Sequence, residues 1–320
     1  MRPGDALETE PAARLSDAGD GVARAGSLQV HVPGLFVGER ARVVVEHASR
    51  QAPRAHARLV ELLVEAPGRR SPPCRHHEAR GGRCTGCPLM PLAEPAQEAQ
   101  RLATLRARFG AEVDLSFHTS PSRALGYRMS SKRVAFGAPG ELRLGSFRRG
   151  SHEPADMADC LVDHPEIAAA ARELAAVASD LGLTPYHDHA GAPAEGGDLR
   201  HVWLKTDGAR VVVTLITASD ESEAARRLPG RLTRADGLAW CVQADAGNTV
   251  RGHGLTVIHG DVALALQLAD VTVHPGPLGF LQPNPEVAAL AYRELVAGPD
   301  GQPRAGALDF DLYAGAGVTT

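Results

Sequence analysis

Three cysteines fall within one short stretch: Cys74, then Cys84 and Cys87, the last two separated only by Thr85 and Gly86. A Cys-x-x-Cys pair with a third sulfur upstream, across a loop holding Gly81 and Gly82, can bring three thiolates to one point. Tetrahedral zinc and a [4Fe–4S] cluster both ask for that convergence and for one further ligand. Cys160, in the loop-like Asp159-Cys160-Leu161, is the candidate fourth. Spacing does not choose between zinc and the cluster, and His76 or His77 could replace a thiolate around zinc. A Cys84–Cys87 disulfide fits a reducing compartment poorly. Cys241, in apolar Leu238 to Val242, reads as a core residue.

Positive charge is the second chemical resource. Lys and Arg total 34 against 38 Asp and Glu, a net charge of −4, so any contact with a nucleic acid has to come from a local patch. Lys132 and Lys205 are the only lysines, and such arginine bias follows from codon usage as readily as from phosphate recognition. Arg128, Lys132, Arg148 and Arg149, taken singly, either hold phosphate or are solvated surface. Near the end, Ala307 to Tyr313 reads as a strand running into Ala314-Gly315-Ala316-Gly317. A Gly-x-Gly there lets backbone approach a cofactor, or is an ordinary turn.

The elements that must position these groups are legible from periodicity. Short apolar alternations, Gly21 to Ala23, Leu28 to Val32, Ala41 to Val45 and Ala57 to Val64, suggest a small barrel. Pro67 to Pro95 has no period and reads as a loop held by something other than a core. Helical spacing marks Gln97 to Phe109 and Ile167 to Leu183, each closed by a glycine. Strand-like runs lie at Lys132 to Phe136, Leu199 to Lys205, Ala209 to Thr217, Leu238 to Val242, Leu255 to Ile258 and Val262 to Leu268, with a surface loop at Pro185 to Gly197. A final helix is expected over Pro285 to Val296, Asn284 serving as N-cap and Pro285 as first residue.

A chain of 320 residues favours two or three units. With 43% hydrophobic, 22% charged and 4% aromatic residues it has a globular composition, and no apolar run approaches the roughly 20 residues of a spanning helix. Met1 to Asp20 has no apolar stretch of the kind a signal peptide needs, so a cytoplasmic location is expected.

Three stretches, in order, resemble one family, the iron–sulfur RNA 5-methyluridine (uracil-C5) methyltransferases that carry an amino-terminal TRAM domain. Gly21-Val22-Ala23-Arg24, Val32-Pro33-Gly34 and Gly38 to Val43 look like the TRAM barrel. Pro73-Cys74 through Gly86-Cys87, followed by Leu92 to Gln100, looks like the cluster loop and its helix. Leu125 to Arg128 through Lys132, Leu144 to His152 and Asp159-Cys160 resemble the central domain. Gly279 to Asn284 is similar to the family's Phe-Phe-Gln-x-Asn segment, and Asp311 to Gly317 to its first methyltransferase motif.

The resemblance implies a multidomain chain: a TRAM-type OB-like β-barrel over 1–66, a central α+β domain with the cluster loop over 67–272, and the beginning of a Rossmann-like S-adenosylmethionine domain over 273–320. It implies a [4Fe–4S] cluster on Cys74, Cys84, Cys87 and Cys160, structural rather than redox, and S-adenosyl-L-methionine contacted by Gln282, Tyr313, Gly315 and Gly317. The expected partner is ribosomal or transfer RNA, met by a monomer, with no membrane. The family's catalytic cysteine, which adds to C6 of the uracil, and its general base lie beyond the first methyltransferase motif. No catalytic residue is therefore assigned, and the chain is expected to be a fragment of a longer enzyme. The alternative is a non-enzymatic RNA-binding module stabilised by a metal or iron–sulfur site.

Overall fold

The computed structural model describes residues 2–110, 112–115, 124–186, 188–189, 192–193, 197–245 and 249–297. The chain divides into two compact units, Met1–Phe117 and His118–Thr320.

The first unit opens with β1 (Ala6–Glu8), β2 (Arg14–Leu15), β3 (Gly21–Ala25), β4 (Leu28–Val32), β5 (Arg40–Ala48) and β6 (Arg54–Val64). They form a six-stranded sheet in the order β1-β5-β6-β4-β3-β2, antiparallel except where β4 and β6 run parallel. The edge strands β1 and β2 are pieces of one segment, which continues to bond both ways: Thr9 N–H donates to Ala41 O and Ala13 N–H to Val22 O, each at 2.9 Å. Sequence alternation sets the faces. Along β5, Ala41, Val43 and Val45 are buried while Arg40, Arg42 and Glu46 face out, and Ala41 and Val43 pack with Ala23, Val30, Val32 and Ala57.

After an irregular stretch comes α1 (Glu94–Phe109), with Pro95 in its first turn and Gly110 at φ 95° ending it. Its buried residue is polar: Gln100 accepts from Val37 N–H at 3.0 Å, tying the helix to the loop after β4.

The second unit is built on β7 (Ser130–Phe136), β8 (Arg143–Phe147), β9 (Pro154–Asp156), α2 (Pro165–Asp180), the small pair β10 (Asp188–His189) and β11 (Ala192–Pro193), β12 (Leu199–Thr206), β13 (Val211–Thr217), α3 (Glu223–Arg227), β14 (Gly237–Val242), β15 (His253–Gly260), β16 (Leu266–Leu268), β17 (Val271–Val273) and α4 (Pro285–Val296). Seven strands make one sheet in the order β15-β14-β13-β12-β7-β8-β9, whose parallel pair, β13 and β14, is joined through α3. Every residue of β12 and β13 is buried, as central strands covered on both faces must be. Ile167, Ala170, Ala171, Leu174 and Ala178 of α2 pack with Leu199, Val202, Val213 and Leu215 of those strands. Val212 clusters instead with Leu264, Leu266, Leu268, Val273 and Leu281.

The expected strand Val262 to Leu268 is regular only over its last three residues. Its beginning is taken by side chains: Asp261 Oδ1 accepts from Ala263 N–H at 2.9 Å, and Arg210 donates to Ala263 O at 2.9 Å. Side-chain partners there replace a strand ladder. The loop expected over Pro185 to Gly197 contains the two-residue pair β10–β11.

Candidate functional site

The cysteine loop belongs to the first unit. Its ends are joined where Arg69 and Leu92 form a β-bridge and Arg70 N–H donates to Pro91 O at 2.8 Å. Beneath that junction lies Glu39, fully buried, which accepts from Phe36 N–H at 2.8 Å, Ala66 N–H at 3.1 Å and the Arg69 guanidinium at 2.6 and 2.8 Å. Arg69 also lies over the Phe36 ring, 4.7 Å from its centroid. A buried carboxylate this fully satisfied fixes the exit of β6 and hence the start of the loop.

Inside the loop the main chain folds back on itself. His77 N–H donates to Cys74 O at 3.2 Å, Cys84 N–H to His76 O at 2.8 Å and Glu78 N–H to Cys84 O at 3.2 Å. His77 is buried, and both its ring nitrogens are engaged: Nδ1 accepts from Ala79 N–H at 3.0 Å, and Nε2 lies 3.1 Å from Cys87 O. Because Nδ1 accepts, Nε2 carries the proton and donates to Cys87. His77 is thus spent on building the loop, which removes it as a substitute ligand for zinc. Gly81, at φ 80°, ends the short 3-10 turn Glu78–Arg80, and a Cβ on Gly82 would sit 2.2 Å from His76 O. Cys74, Cys84 and Cys87 are half-buried and form no disulfide. Among the described residues, the set of three ligand-type side chains with donor atoms within 4.8 Å of one another is Asp20, His31 and His56, not the cysteines.

Cys160 lies in the second unit, also half-buried and outside any disulfide. Burial and the Asp163 carboxylate push its thiol pKa up. The segment beside it is laced to the approach to β7: Gly126 N–H donates to Leu161 O and Arg128 N–H to Val162 O at 2.8 Å, and His164 N–H to Arg128 O at 3.0 Å. Below runs a wholly buried ion pair, Arg133 with Asp163; Arg133 also donates to Met157 O at 2.8 Å, and Asp163 accepts from Ser131 Oγ at 3.1 Å.

The four residues picked for RNA contact are differently occupied. Arg128 is partly drawn inward, its Nε 3.8 Å from Asp163. Arg148 pairs with Glu153 at 2.9 Å, and Arg149 is exposed. Lys132 is exposed and sits over the Trp203 ring at 4.2 Å. Lys132 lines a cleft of about 480 Å³ with Phe147, Ser151, His152 and His201. Burial, and secondarily Arg200, hold His201 down to about 4, so its imidazole is neutral there.

Gln282 is half-buried and follows Phe280, which is 70% exposed. The backbone carrying both is pinned from within the sheet: Lys205 on β12, buried, donates from Nζ to Gly276 O at 2.7 Å and to Gly279 O. Leu278 packs on Trp203, Ile216 and Cys241, so Cys241 is core as its apolar strand indicated. On the far side Met129 N–H donates to Pro283 O at 2.9 Å, and Asn284 Oδ1 caps α4 by accepting from Val287 N–H at 3.2 Å. Tyr313, Gly315 and Gly317 lie outside the described residues. Sequence reasoning passed over Lys205, Asp163 and Glu39. The signal for Lys205 was there: it is one of two lysines in the chain and directly follows the apolar run Val202-Trp203-Leu204.

No protein-family model matches the sequence. An uncharacterized RNA methyltransferase of Parasynechococcus marenigrum is 30% identical over 99% of this chain and 68% of its own length. An uncharacterized RNA methyltransferase of Geobacter sulfurreducens is 27% identical over 90% of the chain and 59% of its own length. The 23S rRNA (uracil(1939)-C(5))-methyltransferase of Chromohalobacter salexigens is 31% identical over 96% of the chain and 62% of its own length. The crystal structure of the Pyrococcus abyssi tRNA (uracil-54, C5)-methyltransferase, in complex with S-adenosyl-L-homocysteine, has the same fold over 91% of this chain and 65% of that one, with a TM-score of 0.66 at 19% identity. The chain thus spans between 59% and 68% of the length of these curated relatives. Matched at 30% identity along nearly all of its length, the chain belongs to the RNA methyltransferase family.

Proposed function

We propose that the chain carries the RNA-binding, cluster-bearing and cofactor-approach portions of an S-adenosylmethionine-dependent RNA (uracil-C5) methyltransferase. The carrying observation is the Lys205-pinned segment from Gly276 to Gln282, which presents an exposed aromatic ring and a half-buried amide on fixed backbone. That pair suits an adenosyl group, which offers a flat ring and polar edges. S-adenosylmethionine, when bound, supplies the methyl group. The chain's own residues do the positioning: Lys205 holds the segment, Asn284 fixes the helix after it, and Gln282 offers its amide. Tyr313, Gly315 and Gly317 complete the cofactor site in this reading. A relative named for uracil methylation of 23S rRNA and a fold neighbour named for that of tRNA support the uracil-C5 assignment.

The reading assigns a [4Fe–4S] cluster to Cys74, Cys84, Cys87 and Cys160. Four cysteines outside any disulfide are the donor set such a cluster takes. In the same reading 1–66 is a TRAM-like barrel, 67–272 the central domain and 273–320 the opening of the methyltransferase domain. Its RNA surface includes Arg128, Lys132, Arg148 and Arg149, with the Lys132–His152 cleft beside them.

Two measurements on the anaerobically purified chain test this. Iron and sulfide at about four each per chain, lost in Cys84→Ser and Cys160→Ser, would support the cluster; stoichiometric zinc without iron would sink it. Equilibrium dialysis with labelled S-adenosylmethionine should show binding that Gln282→Ala weakens. RNA binding without cofactor binding would instead favour a non-enzymatic RNA-binding module.

A further inference from the structure

Asp20, His31 and His56 come together on the six-stranded sheet of the first unit, with one oxygen and two ring nitrogens all within 4.8 Å of one another. Backbone geometry holds all three. Asp20 closes the turn between β2 and β3, where Ser16 N–H donates to Asp20 O at 2.7 Å and Asp20 N–H to Ser16 Oγ at 3.1 Å. His31 on β4 and His56 on β6 are direct partners in the parallel ladder, their ring centroids 5.1 Å apart. Asp20 is buried, His31 half-buried and His56 exposed, so the set runs from core to solvent.

We propose that Asp20, His31 and His56 form a binding site for a divalent transition-metal ion, zinc fitting the donor set best, separate from the cysteine loop. Two imidazoles and a carboxylate match zinc's preferred nitrogen and oxygen ligands, and three protein ligands leave the remaining position to water. The buried Asp20 carboxylate, beside the two imidazoles, offsets part of the charge of a bound cation. The proposal does not depend on the methyltransferase reading.

The test is titration of the full, anaerobically purified chain with Co²⁺, followed by visible absorption. A nitrogen- and oxygen-ligated ion gives weak ligand-field bands without the intense near-ultraviolet band of cobalt–thiolate. One such equivalent is expected in the wild type and in Cys84→Ser. His56 is exposed, so His56→Ala leaves the sheet folded; it should weaken cobalt binding at least tenfold, whereas His259→Ala on the second unit leaves it unchanged. Absence of the thiolate-free bands in the wild type, or their persistence at full affinity in His56→Ala, would overturn the site.

Discussion

His77 donates from Nε2 to the main-chain carbonyl of Cys87 at 3.1 Å while its Nδ1 accepts from Ala79 N–H. One buried side chain thereby links the 3-10 turn after Cys74 to the last cysteine of the loop. A stretch without apolar periodicity keeps a defined shape through such bonds, because it has no core of its own to order it.

Replacing His77 by Phe keeps the volume and removes both bonds, each contributing about 1 kcal/mol. Iron and sulfide per chain should fall at least twofold in the anaerobically purified variant, with far-ultraviolet circular dichroism unchanged. Full iron retention would show that the loop is set by something other than His77.

Gly82 makes a sharper test of the same loop. A methyl group there would lie 2.2 Å from the His76 carbonyl oxygen, so the backbone has to move. Gly82→Ala should lose the cluster almost entirely, while Gly86→Ala, whose Cβ meets only Cys84 Sγ at 3.6 Å, should keep most of it. Equal iron in the two variants would contradict the close approach.

The Arg133–Asp163 pair gives a stability prediction. Both side chains are wholly shielded from solvent, so removing one leaves the other charge uncompensated. Asp163→Ala should destabilise the second unit by about 3–5 kcal/mol. Ser131→Ala, which removes one hydrogen bond to the same carboxylate, should cost only about 1 kcal/mol. Urea denaturation reads both, and similar midpoints for the two variants would refute the ranking.

The strands and helices around these sites were legible because each carries its own period. The helix Pro285–Val296 has the expected bounds, since Asn284 and Pro285 form a local N-terminal signal. Strand β13 stands out as an apolar run broken only by Thr214 and its closing Thr217. What the sequence hid are contacts between distant segments. Glu39 reads as a surface residue in Gly38-Glu39-Arg40, yet it anchors Arg69 across 30 positions. His31 and His56 meet only because β4 and β6 pair in parallel, which no local pattern announces. Val262 to Ala265 alternates like a strand, but Asp261 and Arg210 claim its backbone first.

Lys205 ties stability to pH. Burial first, then the charges of Lys132 and Arg251, lower its pKa from 10.5 to about 7. A neutral amine still has two N–H groups, which matches the two carbonyls it serves, Gly276 and Gly279. Between about pH 7 and 10.5 the unfolded chain holds a proton on this lysine that the folded chain lacks. Folding stability attributable to Lys205 therefore rises with pH through that window, by up to about 1.4 kcal/mol per unit, and the penalty of burying the charge is fully present below it. Lys205→Met should abolish that slope in urea midpoints taken between about pH 7.5 and 9.5. It should also weaken S-adenosylmethionine binding severalfold at every pH, because Gly276 and Gly279 lose their anchor while Gln282 itself is untouched. A wild-type stability that stays level with the variant's across the window would mean that Lys205 keeps its proton in the fold.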